Sequence, residues 1–350
     1  MRDPYIPLKV ISVRDEAPRT RSFVLQFPDE QKFSYKAGQF LTLVFPGKFN
    51  EQRRSYSISS IPDAEPLTIT VKRVDNGEFS RYLLDYCGVG STLYTIAPTG
   101  FFVLPSHPEK YSTFVFFAAG SGITPVYPLI RTLLLRHSGV KIFLCYSNHS
   151  QEETIFLKEI QMLEAQYPGI LTIEWLFSNA KNLLRARLTK SRVEEQLSGA
   201  TVIGKDSALF YLCGPHEYMQ MISITLLREG VEPHQIRKEI FNAIKPPQRE
   251  LPPDTTSRQV TIHHLGEQFK IDVAYPRTIL AAAKSSGILL PYSCEAGKCG
   301  TCAATCTKGS VWMSYNEVLL DKELAEGRVL TCTGFPVFGD VELHYPLPES

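Results

Sequence analysis

Residues 294–302 read CEAGKCGTC, three cysteines in nine residues with glycines between them. Such a run is a disulfide staple, a zinc knuckle or a carrier of electrons, and the rest of the chain narrows the choice. At 350 residues, 43% hydrophobic and 21% charged, the chain exceeds one hydrophobic core, so two or three domains are expected. A net charge of +1 without long basic runs gives no reason to expect nucleic acid or an acidic membrane surface as partner. The opening MRDPYIPLKV has no apolar run of signal-peptide length, and Pro4 and Pro7 would interrupt a helix there. The stretch TFVFFAAGSGITPVYPLIRTLLL is apolar but broken at its centre by Gly, Ser, Thr and Pro, so it reads as a buried strand turning into a helix and no membrane span is expected. The expected compartment is cytoplasmic, where the eight cysteines stay reduced; metal, redox chemistry or plain burial then outrank disulfides.

Outward from the cysteine run the chain divides into three patterns. Residues 1–107 carry short alternating or apolar runs broken by Gly and Pro (SFVLQF, QFLTLVF, LTITVKRV), which predicts an antiparallel β-barrel. Residues 108–244 alternate continuous apolar strands (STFVFFAAG, VKIFLCYS, LTIEWLF, ALFYLCG) with helical segments, which predicts an α/β doubly wound parallel sheet. A Pro-rich linker, Lys245 to Ser257, is long enough to let the last domain move. Residues 258–350 then give two strands, the helix former TILAAAKSSG, the cysteine loop and two further strands, a small mixed sheet crossed by one helix.

A fourth cysteine, Cys332 in VLTCTG, completes the pattern C-x4-C-x2-C followed by a distant Cys, the ligand spacing of plant-type 2Fe-2S centres. Two irons bridged by two sulfides need thiolates on opposite sides; the loop supplies Cys294, Cys299 and Cys302, and a distant strand end supplies Cys332. Gly297 and Gly300 allow the backbone to curl around the cluster and aim N–H groups at its sulfurs. The alternative is a zinc site, although four-thiolate zinc sites generally use two short Cys pairs. Cys306 reads as a packed thiol, and Cys87 and Cys145 as core.

Two other segments carry chemistry. RRSYSISS (53–60) sets Arg54, Tyr56 and Ser57 on a strand, where they could pair a phosphate, stack on a flat ring and bond its edge; an ordinary surface strand would look the same. FFAAGSGITP puts Gly-x-Gly between a buried strand and a helix, a place for phosphate, with Pro125 where a third glycine would stand; a plain strand-to-helix turn is the alternative. His263 and His264 in a strand-like run and His216 after the CGP turn have no paired ligand spacing in the sequence, so packing or surface roles are expected.

The order RSYSIS, VKRV, GEFS, GSGITP, YLCGP and E-x-F, with the cysteine domain appended, resembles the ferredoxin-NADP reductase superfamily in its oxygenase-reductase branch, and LAEGRVLTCTGFP is similar to the tail of the reductase components of phenylacetyl-CoA epoxidases. The resemblance implies a FAD-binding barrel, an NAD(P)-binding domain and a β-grasp 2Fe-2S ferredoxin domain. It implies Arg54 on the FAD phosphates, Tyr56 against the flavin, Ser57 at its reactive edge, and Val71 and Lys72 lining the cofactor. Phe79 and Ser80 would meet the pyrophosphate at a helix start, where Ser is also an ordinary N-cap. Gly120, Gly122 and Thr124 would face the dinucleotide, Cys213, Gly214 and Pro215 the nicotinamide, and Phe241 the isoalloxazine; Cys213 otherwise reads as a buried strand-end residue. The implied activity is transfer from NAD(P)H through FAD and a 2Fe-2S cluster to an oxygenase, with a desaturase, a Rieske oxygenase or a free ferredoxin as alternative acceptors. A zinc-containing redox-sensing or interaction protein is the competing class. CYSNHSQEE has no acidic residue at the strand tip, which favours NADPH over NADH; Ser178, with Lys181 or Arg185, would meet the 2′-phosphate.

Overall fold

The computed structural model describes residues 5–27, 34–45, 51–182, 186–198, 205–241 and 250–346. Arg185 and the first part of the Pro-rich stretch, 245–249, lie outside the described residues.

The first sheet contains β1 (Ile6–Ala17), β2 (Thr20–Gln26), β3 (Phe40–Phe45), β4 (Gln52–Ser57), β5 (Thr68–Lys72) and β6 (Thr92–Thr95), in the order β4-β3-β6-β1-β2-β5. All its pairings are antiparallel. Its two edges meet through a bridge between Ile58 and Ile69 and a 2.8 Å bond from Ser59 N–H to the Thr68 carbonyl, so the sheet closes as expected. Alternation in TRSFVLQ sends Phe23 and Leu25 inward, where they join Leu8, Leu41 and Ile69. Helix α1 (Glu78–Tyr86) follows β5.

The second sheet, β7 (Thr113–Ala119), β8 (Lys141–Asn148), β9 (Leu171–Phe177), β10 (Ala208–Cys213) and β11 (Ile236–Glu239), is parallel in the order β11-β10-β7-β8-β9. The apolar run of β7 is continuous because both faces are covered. Phe114 and Phe116 pack with α2 (Ile123–Arg136), while Val115 and Phe117 pack with Val193 of α4 (Lys190–Ser198) and Ile222 of α5 (His216–Arg228). Helix α3 (Leu157–Gln166) lies between β8 and β9 in the chain. The chain leaves β7 toward β8 on one side and β10 lies on the other, so the carboxyl ends of β7 and β10 form the switch point where such sheets bind ligands.

The third sheet, β12 (Arg258–His264), β13 (Glu267–Val273), β14 (Ala303–Met313), β15 (Arg328–Leu330) and β16 (Gly334–His344), has the order β13-β12-β16-β14-β15. Only the central β12–β16 pair is parallel. Helix α6 (Ile279–Ser285), capped by Thr278 accepting from Ala281 N–H at 3.2 Å, buries Ile279, Leu280, Ala282 and Ala283 against the sheet. Helix α7 (Asp321–Ala325) precedes β15. Before β12, the Asp254 carboxylate accepts from Thr256 N–H, Arg258 and Phe338 N–H at 2.9, 2.8 and 2.9 Å, fastening this end of the Pro-rich stretch to the third sheet.

Candidate functional site

The cysteine loop runs from the end of α6 to β14. Gly297 and Gly300 hold φ of +72° and +76°, and each also faces a close neighbour. A Cβ at Gly297 would lie 2.7 Å from the Tyr315 carbonyl, and one at Gly300 would lie 2.4 Å from the ring of Phe101, a residue of the barrel domain. The four thiols associate two and two: Cys294 with Cys299, and Cys302 with Cys332. The Cys299 contact is the main reason the Cys294 thiol is lowered to about 6, helped by surrounding backbone N–H groups. Among the described residues, the group of three donor atoms lying within 4.8 Å of one another is elsewhere, at His263, Glu342 and His344. Two thiol pairs suit two irons, whereas a single tetrahedral zinc would draw all four sulfurs together.

Strand β4 stands beside this loop. Its alternation divides the residues that the sequence reading grouped together. Arg53, Ser55 and Ser57 reach the neighbouring domains: Arg53 Nη1 donates to the Tyr292 carbonyl at 3.0 Å, the Ser55 and Ser293 hydroxyls lie 2.6 Å apart, and Ser57 donates to Glu239 Oε1 at 3.0 Å. Arg54 and Tyr56 belong to the other face. The Arg54 guanidinium lies 4.7 Å over the Phe79 ring, and Tyr56, half-buried, packs on the barrel core. Burial pushes the Tyr56 hydroxyl well above its ordinary range, despite the opposing charge of Arg54. A cavity of about 600 Å³ opens here, with Arg54, Ser57, Phe102, Glu239 and Phe241 on one side and Cys294 and Cys299 on another. Aromatic walls, a cation and a few convergent polar groups are the features of a cofactor pocket.

A second cavity, about 830 Å³, lies at the switch point. Gly120, Gly122, Gly214 and Pro215 form its floor, Lys72 stands at the barrel side, and Ser178 and Arg187 stand toward the β8–β9 end. Gly122 is required by packing between loops: a Cβ there would come 2.0 Å from the Cys213 carbonyl. Phe241, 48% exposed, lines both cavities and stands between them.

Several expected residues are placed differently. Thr124 is buried, donates to the Ser121 carbonyl at 2.9 Å, and is not on the cavity wall. Val71 lies in the barrel core. Ser80 is not an N-cap: Gly77 caps α1, and the Ser80 hydroxyl accepts from Val74 N–H at 3.0 Å and donates to the Gly77 carbonyl at 3.2 Å. Cys213 is fully buried at the end of β10, off both cavity walls, with its thiol pushed up by burial first and by Glu239 second. Lys181 is not among the lining residues either; Arg187 lines the same cavity as Ser178, whose hydroxyl sits 3.0 Å from His149 Nδ1. His263 is not an isolated surface residue, because β16 brings His344 and Glu342 to it.

Glu239, within the E-x-F motif but not singled out from the sequence, lines the first cavity and accepts from Ser57. Burial raises its carboxyl to about 8, with the Ser57 hydrogen bond pulling the other way. Arg53, Tyr292 and Ser293 were also missed, since only the tertiary fold brings them together.

Comparison with known proteins agrees with this geometry. Residues 7–104 match the oxidoreductase FAD-binding domain family, 116–223 the oxidoreductase NAD-binding domain family, and 262–337 the 2Fe-2S iron-sulfur cluster binding domain family. The chain is 31% identical to the ferredoxin reductase component of 3-ketosteroid-9-alpha-monooxygenase from Rhodococcus rhodochrous, over 97% of this chain and 96% of that one. It is also 31% identical to one of the subunits of 1,2-phenylacetyl-CoA epoxidase from Escherichia coli K12, over 93% of each. Among solved structures, phthalate dioxygenase reductase superposes with a TM-score of 0.61 at 24% identity, covering 97% of this chain and 98% of that one. No helix among the described residues is long and apolar enough to cross a membrane. With every domain accounted for in one order and over almost its whole length, the chain belongs to the family of oxygenase reductase components that join FAD-binding, NAD-binding and 2Fe-2S domains in one polypeptide.

Proposed function

We propose that the chain draws electrons from NADPH at the larger cavity, holds FAD in the smaller one, and delivers single electrons to an oxygenase component through a 2Fe-2S cluster, two of whose ligands, Cys294 and Cys299, line the FAD cavity. The observation that carries this reading is the shared wall: one cavity touches Ser57 and Glu239 of the flavin side together with Cys294 and Cys299. FAD, when bound, couples a two-electron nicotinamide donor to a one-electron cluster. The chain's own residues bind and orient. Arg54 would hold the phosphates on the Phe79 side, and Ser57, whose hydroxyl donates to Glu239, would stand at the ring edge; Tyr56, packed on the barrel core and off both cavity walls, would reach the ring only by turning outward. Phe241, on the wall of both cavities, would stand between the flavin ring and an entering nicotinamide. Gly120 and Gly214 let the dinucleotide approach backbone, and Cys294, Cys299, Cys302 and Cys332 hold the cluster.

The preference for NADPH rests on Ser178 and Arg187 at the far end of the larger cavity, with Arg187 in the part first given to Lys181 or Arg185. The acceptor is proposed as an oxygenase component. Phenylacetyl-CoA epoxidase is one candidate, standing at the same 31% identity as the steroid monooxygenase relative.

The test is the visible spectrum of protein purified without air, before and after NADPH, followed by the ratio of kcat/KM for NADPH and NADH. Bleaching of flavin bands with partial reduction of a cluster signal is expected. A protein that stays colourless after iron and flavin reconstitution would overturn the reading, and a ratio strongly favouring NADH would overturn the coenzyme preference alone.

A further inference from the structure

We propose that His263, Glu342 and His344 form a second metal site, on the outer face of the third sheet, for a first-row divalent cation of the zinc class. Along β12 and β16, Val260, Ile262, Val341 and Leu343 point into the core, so the period of two places His263, Glu342 and His344 together on the opposite face. The parallel register sets His263 against His344, and their rings stack with centroids 4.2 Å apart and planes 7° from parallel. Both Nε2 atoms turn toward the same Glu342 oxygen, at 2.9 Å from His263 and 3.4 Å from His344.

The three donors lie within 4.8 Å of one another, against the mutual spacing of roughly 3.3 Å that a tetrahedral zinc imposes through bonds of about 2.0–2.1 Å. Because the stacked rings aim their lone pairs in parallel planes, binding requires one imidazole to turn about its side-chain bonds until both Nε2 atoms face the ion. Binding would release to solvent whichever Nε2 protons those nitrogens carry. The side chains are 31%, 36% and 45% exposed, so an ion can enter from water, and its fourth position stays open to water. The backbone beneath is fixed, because β12 and β16 are adjacent central strands with a further strand paired on each side. Lys308 on β14 is the cation opposite Glu342, so affinity is expected below that of a closed four-ligand zinc centre. An occupied site would tie the first strand of the domain to its last. The simpler account, in which Glu342 only accepts hydrogen bonds from two rings, makes the opposite prediction.

The experiment is anaerobic equilibrium dialysis of untagged, cluster-loaded protein against zinc chloride, with bound metal counted by mass spectrometry. Wild type should bind one zinc more than the double variant His263→Asn/His344→Asn, and Glu342→Gln should weaken that zinc at least about tenfold. Cluster absorbance reports that the variants are folded; if the double variant loses it, His344→Asn alone is used for the same comparison. Equal zinc content in wild type and variant across the titration, whether by shared binding or by none, would overturn the site.

Discussion

Against the nucleotide-binding domain the barrel is fastened by a partly exposed ion pair, Arg131 bidentate on Glu65 at 2.9 and 2.6 Å, and by Arg136 donating to the Pro62 carbonyl at 2.8 Å. Against the iron–sulfur domain it uses Arg53, a guanidinium only 4% exposed, which donates to Glu51 at 2.6 Å and lies 3.7 Å over the ring of Tyr292. Lys284 also lies over that ring, at 4.1 Å. Neither Arg131 nor Glu65 lines a cavity, whereas Arg53 and Tyr292 both wall the one shared with Cys294 and Cys299. The ion pair of the first seam stands away from the cavities, though the Ser57–Glu239 bond of that seam reaches a wall; the Arg53–Tyr292 contact of the second is itself part of the wall. The lesson is that contact strength and functional weight need not coincide.

The comparison can be broken most severely at the cluster itself. Cys299→Ala should abolish reduction of one-electron protein acceptors while NADPH-driven ferricyanide reduction, which needs only the flavin, continues; equal loss of both would remove the inner seam from the electron path. Next in size is Glu239→Gln. The wild-type carboxyl has a folded value of about 8 against an ordinary 4.5. Its favourable contribution is therefore complete below about 4.5 and is lost as pH rises through 8. The variant should gain stability over wild type progressively across that window and level off above it, by at most roughly 5 kcal/mol. A difference in unfolding midpoint that is flat with pH would show that the carboxyl is ionised throughout.

Arg53→Met sharpens the contrast directly. It strands the Tyr292 carbonyl and takes from Glu51 its cation, leaving that carboxylate only the Tyr5 and Tyr292 hydroxyls. The cost should be about 3 kcal/mol in stability, and delivery to protein acceptors should slow without slowing flavin reduction by NADPH in stopped flow. Arg131→Gln is the matching change on the outer seam. It should cost about 1 kcal/mol and alter neither rate. If the two variants slow protein acceptors alike, the seams are equivalent and the comparison fails.

Much of this architecture was legible because it is local. Apolar alternation gives the barrel strands, continuous apolar runs give the parallel sheet, and the cysteine spacing gives the ligand set, each within a short window. The seams were not legible. Arg53 and Arg54 are neighbours in sequence, and only the folded chain shows Arg53 turned to Tyr292 of the iron–sulfur domain and Arg54 to Phe79 of its own barrel. Glu239 reads as one more strand-end carboxylate until Ser57, far away in the chain, is seen donating to it. His263 and His344 lie at opposite ends of their domain and meet through a parallel register that no turn signal announces. Gly300 seemed to serve only the curl of its loop, yet Phe101 of another domain occupies the space its side chain would need.

The order of strands in the third sheet also bears on biogenesis. Strand β16 lies between β12 and β14, so the middle of the sheet is filled by the segment synthesised last among its five strands. The loop holding Cys294, Cys299 and Cys302 leaves the ribosome well before the strand that completes its scaffold, and Cys332 emerges between the two. Until β16 is available the thiols have no finished cage, and the edges of β12 and β14 are unpaired. A ribosome stalled within β16 would therefore present all four thiols beside open strand edges, a species suited to oxidation and to pairing with its own kind.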